Sequence, residues 1–84
     1  MMIAFSTHGW EDYLYWQNND KKILKRINIL LEDIRRNPDE GLGKPERLKE
    51  NLSGYLSRRI TAEHRLVYTI KNDLIIVAQC RFHY

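Results

Sequence analysis

The chain has 84 residues, 43% hydrophobic and 30% charged, with 14 Lys plus Arg against 11 Asp plus Glu for a formal charge of +3. That length holds one core and no second domain, the composition is globular rather than disordered, and no apolar run approaches the roughly 18 residues of a membrane span. A single cysteine, Cys80, excludes an internal disulfide framework and a multi-cysteine zinc site, and with no signal-like N-terminus the expected setting is a reducing cytoplasm.

Met2 to Ser6 reads as a short strand, suited to a sheet edge. Trp10, Tyr13 and Leu14 then recur at helical spacing, with Glu11 and Asp12 expected in the first turn, where the helix dipole favours anions. Ser6 or Thr7 can cap this helix, and Gly9 weakens its start. Asn18-Asn19-Asp20 breaks it, and Asp20 can cap the next. In the second helix Ile23, Leu24, Ile27, Leu30, Leu31 and Ile34 form an apolar stripe. Asn37-Pro38 stops it, because the residue before proline avoids helical geometry. The two helices form a hairpin expected on one side of a sheet.

Residues Asn37 to Pro45 form a polar loop. Glu46 to Asn51 is charged and ambiguous; a helical turn there would place Glu46 and Lys49 on one side. From Ser53 the period changes to two, and Tyr55 to Ile60, Arg65 to Ile70 and Leu74 to Phe82 are rich in β-branched and aromatic residues. Thr61–Glu63 and Asn72-Asp73 mark the turns. The expected fold is α+β, in the order β-α-α-β-β-β, with a mostly antiparallel sheet covered on one face.

Chemistry narrows to a few groups. Gly41-Leu42-Gly43-Lys44-Pro45 lacks the spacing of a phosphate loop. His8, His64 and His83 lack metal-ligand spacing. Cys80 lies in an apolar strand, as a core residue does. Basic residues gather in the C-terminal half, where Arg58, Arg59, Arg65, Lys71 and Arg81 face only Glu63 and Asp73 after Ser57. This suits a polyanion, or an ordinary solvated face. Glu46, the arginines and the penultimate His83 are the parts of metal-free RNA cleavage. One group takes the ribose 2′-hydroxyl proton, arginine neutralises the phosphate, and another group protonates the leaving oxygen. Each also has a plain reading as a solvated acid, a sheet-edge arginine or a frayed terminus.

The run Asn51-Leu52-Ser53-Gly54-Tyr55-Leu56-Ser57-Arg58-Arg59-Ile60-Thr61-Ala62-Glu63-His64-Arg65-Leu66-Val67-Tyr68 resembles the signature of the YoeB (Txe) toxin family. So does the ending Cys80-Arg81-Phe82-His83-Tyr84. The stretches Trp10–Gln17 and Gly43–Lys49 also fit, so the resemblance spans essentially the whole chain. It implies a RelE-like fold and a metal-free, cofactor-free endoribonuclease that cuts mRNA in the A site of the 70S ribosome. It also implies a YefM/Phd-type antitoxin partner, with DNA contacted only through the antitoxin complex, and leaves monomer and homodimer open. By resemblance, Glu46 is the general base, Arg65 the phosphate-stabilising arginine and His83 the general acid, with Tyr84 beside them. Lys49, Arg59 and Arg81 support RNA binding. Glu63 lies inside the signature, either touching RNA or orienting an arginine. Gln79 and Phe82 depart from the family's usual residues. A non-catalytic ribosome- or nucleic-acid-binding module of the same fold is the alternative.

Strand parity tests a shared site. Pairing Ile60 with His64 sets Arg59 opposite Arg65. A two-residue Asn72-Asp73 loop with unbroken pairing would set Arg65 opposite Cys80 and turn His83 to the other face. A site shared by Arg65 and His83 therefore requires a three-residue loop, a bulge, or a tail that leaves the strand.

Overall fold

A serine joins the first strand to the first helix. In the computed structural model, which describes residues 1–84, Met2–Phe5 forms strand β1 and Thr7–Asn19 forms helix α1. Ser6 Oγ accepts from the Gly9 N–H at 3.0 Å, satisfying a donor that the first turn leaves free. Because the helix begins at Thr7, its first turn holds no acid, and Glu11 and Asp12 fall later than expected. Asp12 is buried and accepts from the Cys80 N–H at 3.0 Å. Gly9 also has a different meaning from the expected weak start: a Cβ there would collide with the Val77 carbonyl. Only glycine lets the helix approach the sheet this closely.

Asp20 caps helix α2, Lys21–Arg36, by accepting from the Lys22 and Ile23 N–H groups. Ile27, Leu30, Leu31 and Ile34 form its buried stripe, and it ends before Asn37-Pro38 as expected. No helix is long and apolar enough to cross a membrane.

Glu46–Arg47 forms β2, and a short 3-10 turn follows at Glu50–Leu52. The remaining strands are Leu56–Arg59 (β3), Arg65–Lys71 (β4) and Leu74–Gln79 (β5). The sheet order is β1-β5-β4-β3-β2, with β1 parallel to β5 and every other pair antiparallel. The edge position of β1 matches the expectation. Strand β2 is an addition, and the helical turn expected to align Glu46 with Lys49 does not form. The Glu46↔Ser57 and Arg47↔Leu56 pairing, continued by Leu48 N–H to the Tyr55 carbonyl, makes the segment extended instead.

Alternation divides the sheet into two faces. Leu56, Leu66, Tyr68, Ile75 and Val77 join α2's stripe and Trp16 in the main core. Ser57, Arg59, Arg65, Val67 and Gln79 belong to the opposite face by register, with Glu46 in the same row as Ser57. Between β4 and β5 the pairing runs Lys71↔Leu74 to Tyr68↔Val77, then shifts to Val67↔Gln79. Ala78 is thus an extra residue, a β-bulge. Beyond Gln79 the chain leaves the strand, and Phe82 takes a left-handed backbone at φ 64°. The two-residue loop does occur, and the bulge and the departing tail both supply the correction that a shared site requires.

Candidate functional site

The sheet face opposite the helices, buried at Ser57 and Val67 and exposed at Glu46 and Arg59, gathers residues from four separate segments. Glu46 and Ser57 pair across β2 and β3, Arg59 and Arg65 across β3 and β4. Glu46 and Arg65 therefore stand two strands apart and two residues along. With ordinary strand spacing and rise this is about 12 Å between backbones, a gap that long side chains and one nucleotide can fill.

The C-terminal tail crosses that gap. The Tyr84 hydroxyl donates to Glu46 Oε1 at 2.8 Å, and the His83 and Tyr84 rings lie 4.8 Å apart. The Arg65 N–H donates to the Phe82 carbonyl at 3.0 Å. The tail is thus tied at one end to the strand carrying Arg65 and at the other to Glu46. Between these ties His83 is exposed, open to a reactant. Glu46, Lys49 and Tyr84 also line one pocket of about 250 Å³, together with Arg47, Leu48 and Leu52. Lys49 reaches this pocket from extended backbone rather than from a helix.

The Arg65 guanidinium is aimed by backbone: Nη1 donates to the carbonyls of Thr61, Ala62 and His64 at 2.8, 3.2 and 3.2 Å. These carbonyls hold the arginine, whereas Glu63 lies on the exposed turn with Oε1 3.7 Å from His64 Nε2. Arg81 packs its guanidinium over the Tyr15 ring at 3.5 Å and the Phe82 ring at 4.5 Å, a cation–π stack that flattens it against the tail. Arg59 is exposed beside Arg65.

The structure joins the Glu46 carboxylate, the Lys49 ammonium and the Tyr84 phenol at one pocket, with the His83 imidazole next to Tyr84. The Arg65 guanidinium turns onto its own loop, and neither it nor His83 lines that pocket. Such a set can remove a proton at one end of a phosphodiester, neutralise its oxygens and return a proton at the other end. Cys80 contributes no nucleophile. It is fully buried, and burial, with Asp12 nearby, pushes its thiol up to about 12.

Periodicity and turn chemistry did not reveal Asp12, Trp16 and His64 as holders of the tail. Trp16 Nε1 donates to the Cys80 carbonyl at 2.8 Å, and His64 Nδ1 accepts from the Phe82 N–H at 2.7 Å. The sequence carries no signal for these roles, because the burial that marks Asp12 as a bonded polar group exists only in the folded chain.

Comparison with known proteins gives a consistent picture. The family model described as "YoeB-like toxin of bacterial type II toxin-antitoxin system" matches residues 5–84. Toxin YoeB of Escherichia coli (strain K12) is 58% identical over 84 residues, the full length of both chains. The YoeB/ParE toxin structure from Agrobacterium tumefaciens superposes with a TM-score of 0.98 at 46% identity, covering 100% of each chain. Two Staphylococcus aureus structures, a heterotetrameric YoeB-YefM toxin-antitoxin complex and a YoeB dimer, each superpose at 0.92 with 56% identity, covering 100% of this chain and 98% of theirs.

Proposed function

Since the chain belongs to the YoeB-like toxin family of bacterial type II toxin–antitoxin systems, we propose that it is a metal-free endoribonuclease cutting mRNA in the ribosomal A site. Glu46 takes the proton of a ribose 2′-hydroxyl. The 2′-oxygen attacks the adjacent phosphorus, and Arg65, with Arg59 paired beside it, neutralises the charge growing on the phosphate oxygens, while Lys49 stands on the Glu46 side. His83 gives a proton to the departing 5′-oxygen, leaving a 2′,3′-cyclic phosphate and a free 5′-hydroxyl. The internal nucleophile restricts the reaction to RNA. Ribosome, mRNA and cytoplasmic setting belong to the same proposal. So do neutralisation by a YefM-type antitoxin and pairing as a homodimer, both prompted by the Staphylococcus aureus assemblies.

The hydrogen bond from Tyr84 to Glu46 carries the reading. It joins residues 38 positions apart and sets the Tyr84 phenol, with the His83 ring beside it, on the tail that reaches Glu46. The phenol occupies Oε1 of an exposed carboxylate and leaves Oε2 for a 2′-hydroxyl.

The test is to map mRNA 5′ ends in a translating extract given the wild-type chain or Glu46→Ala, Arg65→Ala or His83→Ala. The wild type creates new 5′-hydroxyl ends, and each variant, still folded by circular dichroism, cuts about 10² to 10⁴ times more slowly. Translation arrest with no new ends would identify a non-catalytic blocker. Wild-type cutting by folded His83→Ala would remove histidine from the reaction.

A further inference from the structure

The peptide just before His83 is held by a side chain with no part in the proposed proton transfers. Phe82 is bent into the left-handed region, φ 64°, which L side chains seldom adopt. Both of its backbone polar groups are taken: the N–H donates to His64 Nδ1 at 2.7 Å and the carbonyl accepts from Arg65 N–H at 3.0 Å. Consecutive residues 64 and 65 therefore clamp one bent residue, His64 by its ring and Arg65 by its main chain.

The His64 ring is itself fixed. It is 8% exposed, edge-on to Trp16 at 4.8 Å and tilted against the Phe82 ring at 5.7 Å. Its backbone N–H donates to Thr61 Oγ1 at 3.1 Å, so the turn sets where the ring stands. For Nδ1 to accept, the ring must be neutral with its proton on Nε2, the nitrogen 3.7 Å from Glu63 Oε1. Trp16 and Asp12 hold Cys80 on the other side of Arg81. The tail is thus anchored at alternate residues, and His83 and Tyr84 project from the last anchor.

We propose that His64 is a positioning residue: its Nδ1 fixes the left-handed bend at Phe82 and so aims His83 and Tyr84 across the groove at Glu46. The proposal deepens the ribonuclease reading and rests on it for its kinetic arm alone.

Two substitutions separate the acceptor from the ring. His64→Asn keeps an acceptor oxygen two bonds from Cβ, as Nδ1 is. His64→Leu keeps apolar bulk without an acceptor; should it fail to fold, His64→Phe, which keeps a planar ring without an acceptor, takes its place. Amide exchange at Phe82 is read by nuclear magnetic resonance, and cleavage is measured on ribosomes programmed with mRNA. Removing the acceptor should expose the Phe82 amide to exchange and lower kcat by up to about 10²-fold with KM unchanged, the signature of misplaced catalytic groups. His64→Asn should recover most of both. Wild-type Phe82 protection without the acceptor, equal losses in His64→Asn, or lost protection with unchanged kcat would each overturn the proposal. Failure of the ribonuclease reading is distinguishable, because the wild-type chain would then create no new mRNA ends while its Phe82 amide stays protected.

Discussion

Burial controls the chemistry of Cys80 more than its sequence position does. Its thiol is held up to about 12, first by desolvation and then by the Asp12 carboxylate, and Sγ lies 3.8 Å from the Gly9 carbonyl. The thiolate, the reactive form, is therefore scarce at neutral pH. Iodoacetamide at pH 8 should leave the native chain unmodified and label it stoichiometrically in urea, as read by intact mass. Rapid native labelling would show that Cys80 is not packed as described. The core role of Cys80 was legible from its apolar strand. Its neighbours were not: Gly9 read as a poor helix residue and Asp12 as a first-turn anion, although both serve the contact between α1 and the end of β5. Local propensity cannot display a tertiary demand of that kind.

At the scale of elements, one buried arginine organises the route from α2 to β2. Alternation sends Arg59 outward and Arg58 inward, where it is completely buried. Its Nε donates to the Tyr68 hydroxyl, Nη1 to Asp33 Oδ2 at 2.7 Å and to the Leu42 carbonyl, and Nη2 to the carbonyls of Asn37 and Glu40. The guanidinium has five N–H donors, and five acceptors surround it, so the loop leading to Glu46 is gathered around a satisfied cation. Arg58→Met should cost about 3–5 kcal/mol of stability, because Asp33 and the loop carbonyls lose their shared partner. Urea unfolding measures this, and a loss below about 1 kcal/mol would reduce the network to the level of a surface pair.

The same network has an acid dependence. The Arg58 hydrogen bond, then the Leu42 N–H, lowers the Asp33 carboxyl below its ordinary value. A depressed carboxyl contributes fully above its unfolded value near 3.9 and loses that contribution as pH falls through the folded value. Asp33→Asn should therefore be less stable at pH 7 and should lose stability less steeply than wild type below about pH 4. Parallel acid limbs would assign the wild-type acid sensitivity to other carboxylates. The inward turn of Arg58 follows from strand alternation once β3 is placed. Its loop partners do not, because irregular backbone has no period by which to align carbonyls.

For the whole molecule, the sheet is a frame and the tail is the part that completes a site on it. The sequence shows the elements of the frame through periods and caps, and parity states what the tail requires. It does not select among an odd loop, a bulge and a departure from the strand, since Ala78 and the Phe82 bend carry no glycine or proline signal. The main core ends at the fully buried Cys80, whereas Phe82, His83 and Tyr84 are all exposed. Frame and tail should therefore separate experimentally. A chain ending at Phe82 keeps the His64 and Arg65 contacts to that residue's backbone and loses only exposed groups and the Tyr84–Glu46 bond. At about 1 kcal/mol for that bond, the melting midpoint should fall by no more than about 4–8 °C. Cleavage should disappear, because the proposed acid and the tether to the base are gone. Unfolding of the truncated chain would mean that the last two residues help build the frame itself. Retained cleavage by a folded truncated chain would mean that the groove works without the histidine, leaving Glu46 and the arginines to seek another proton donor.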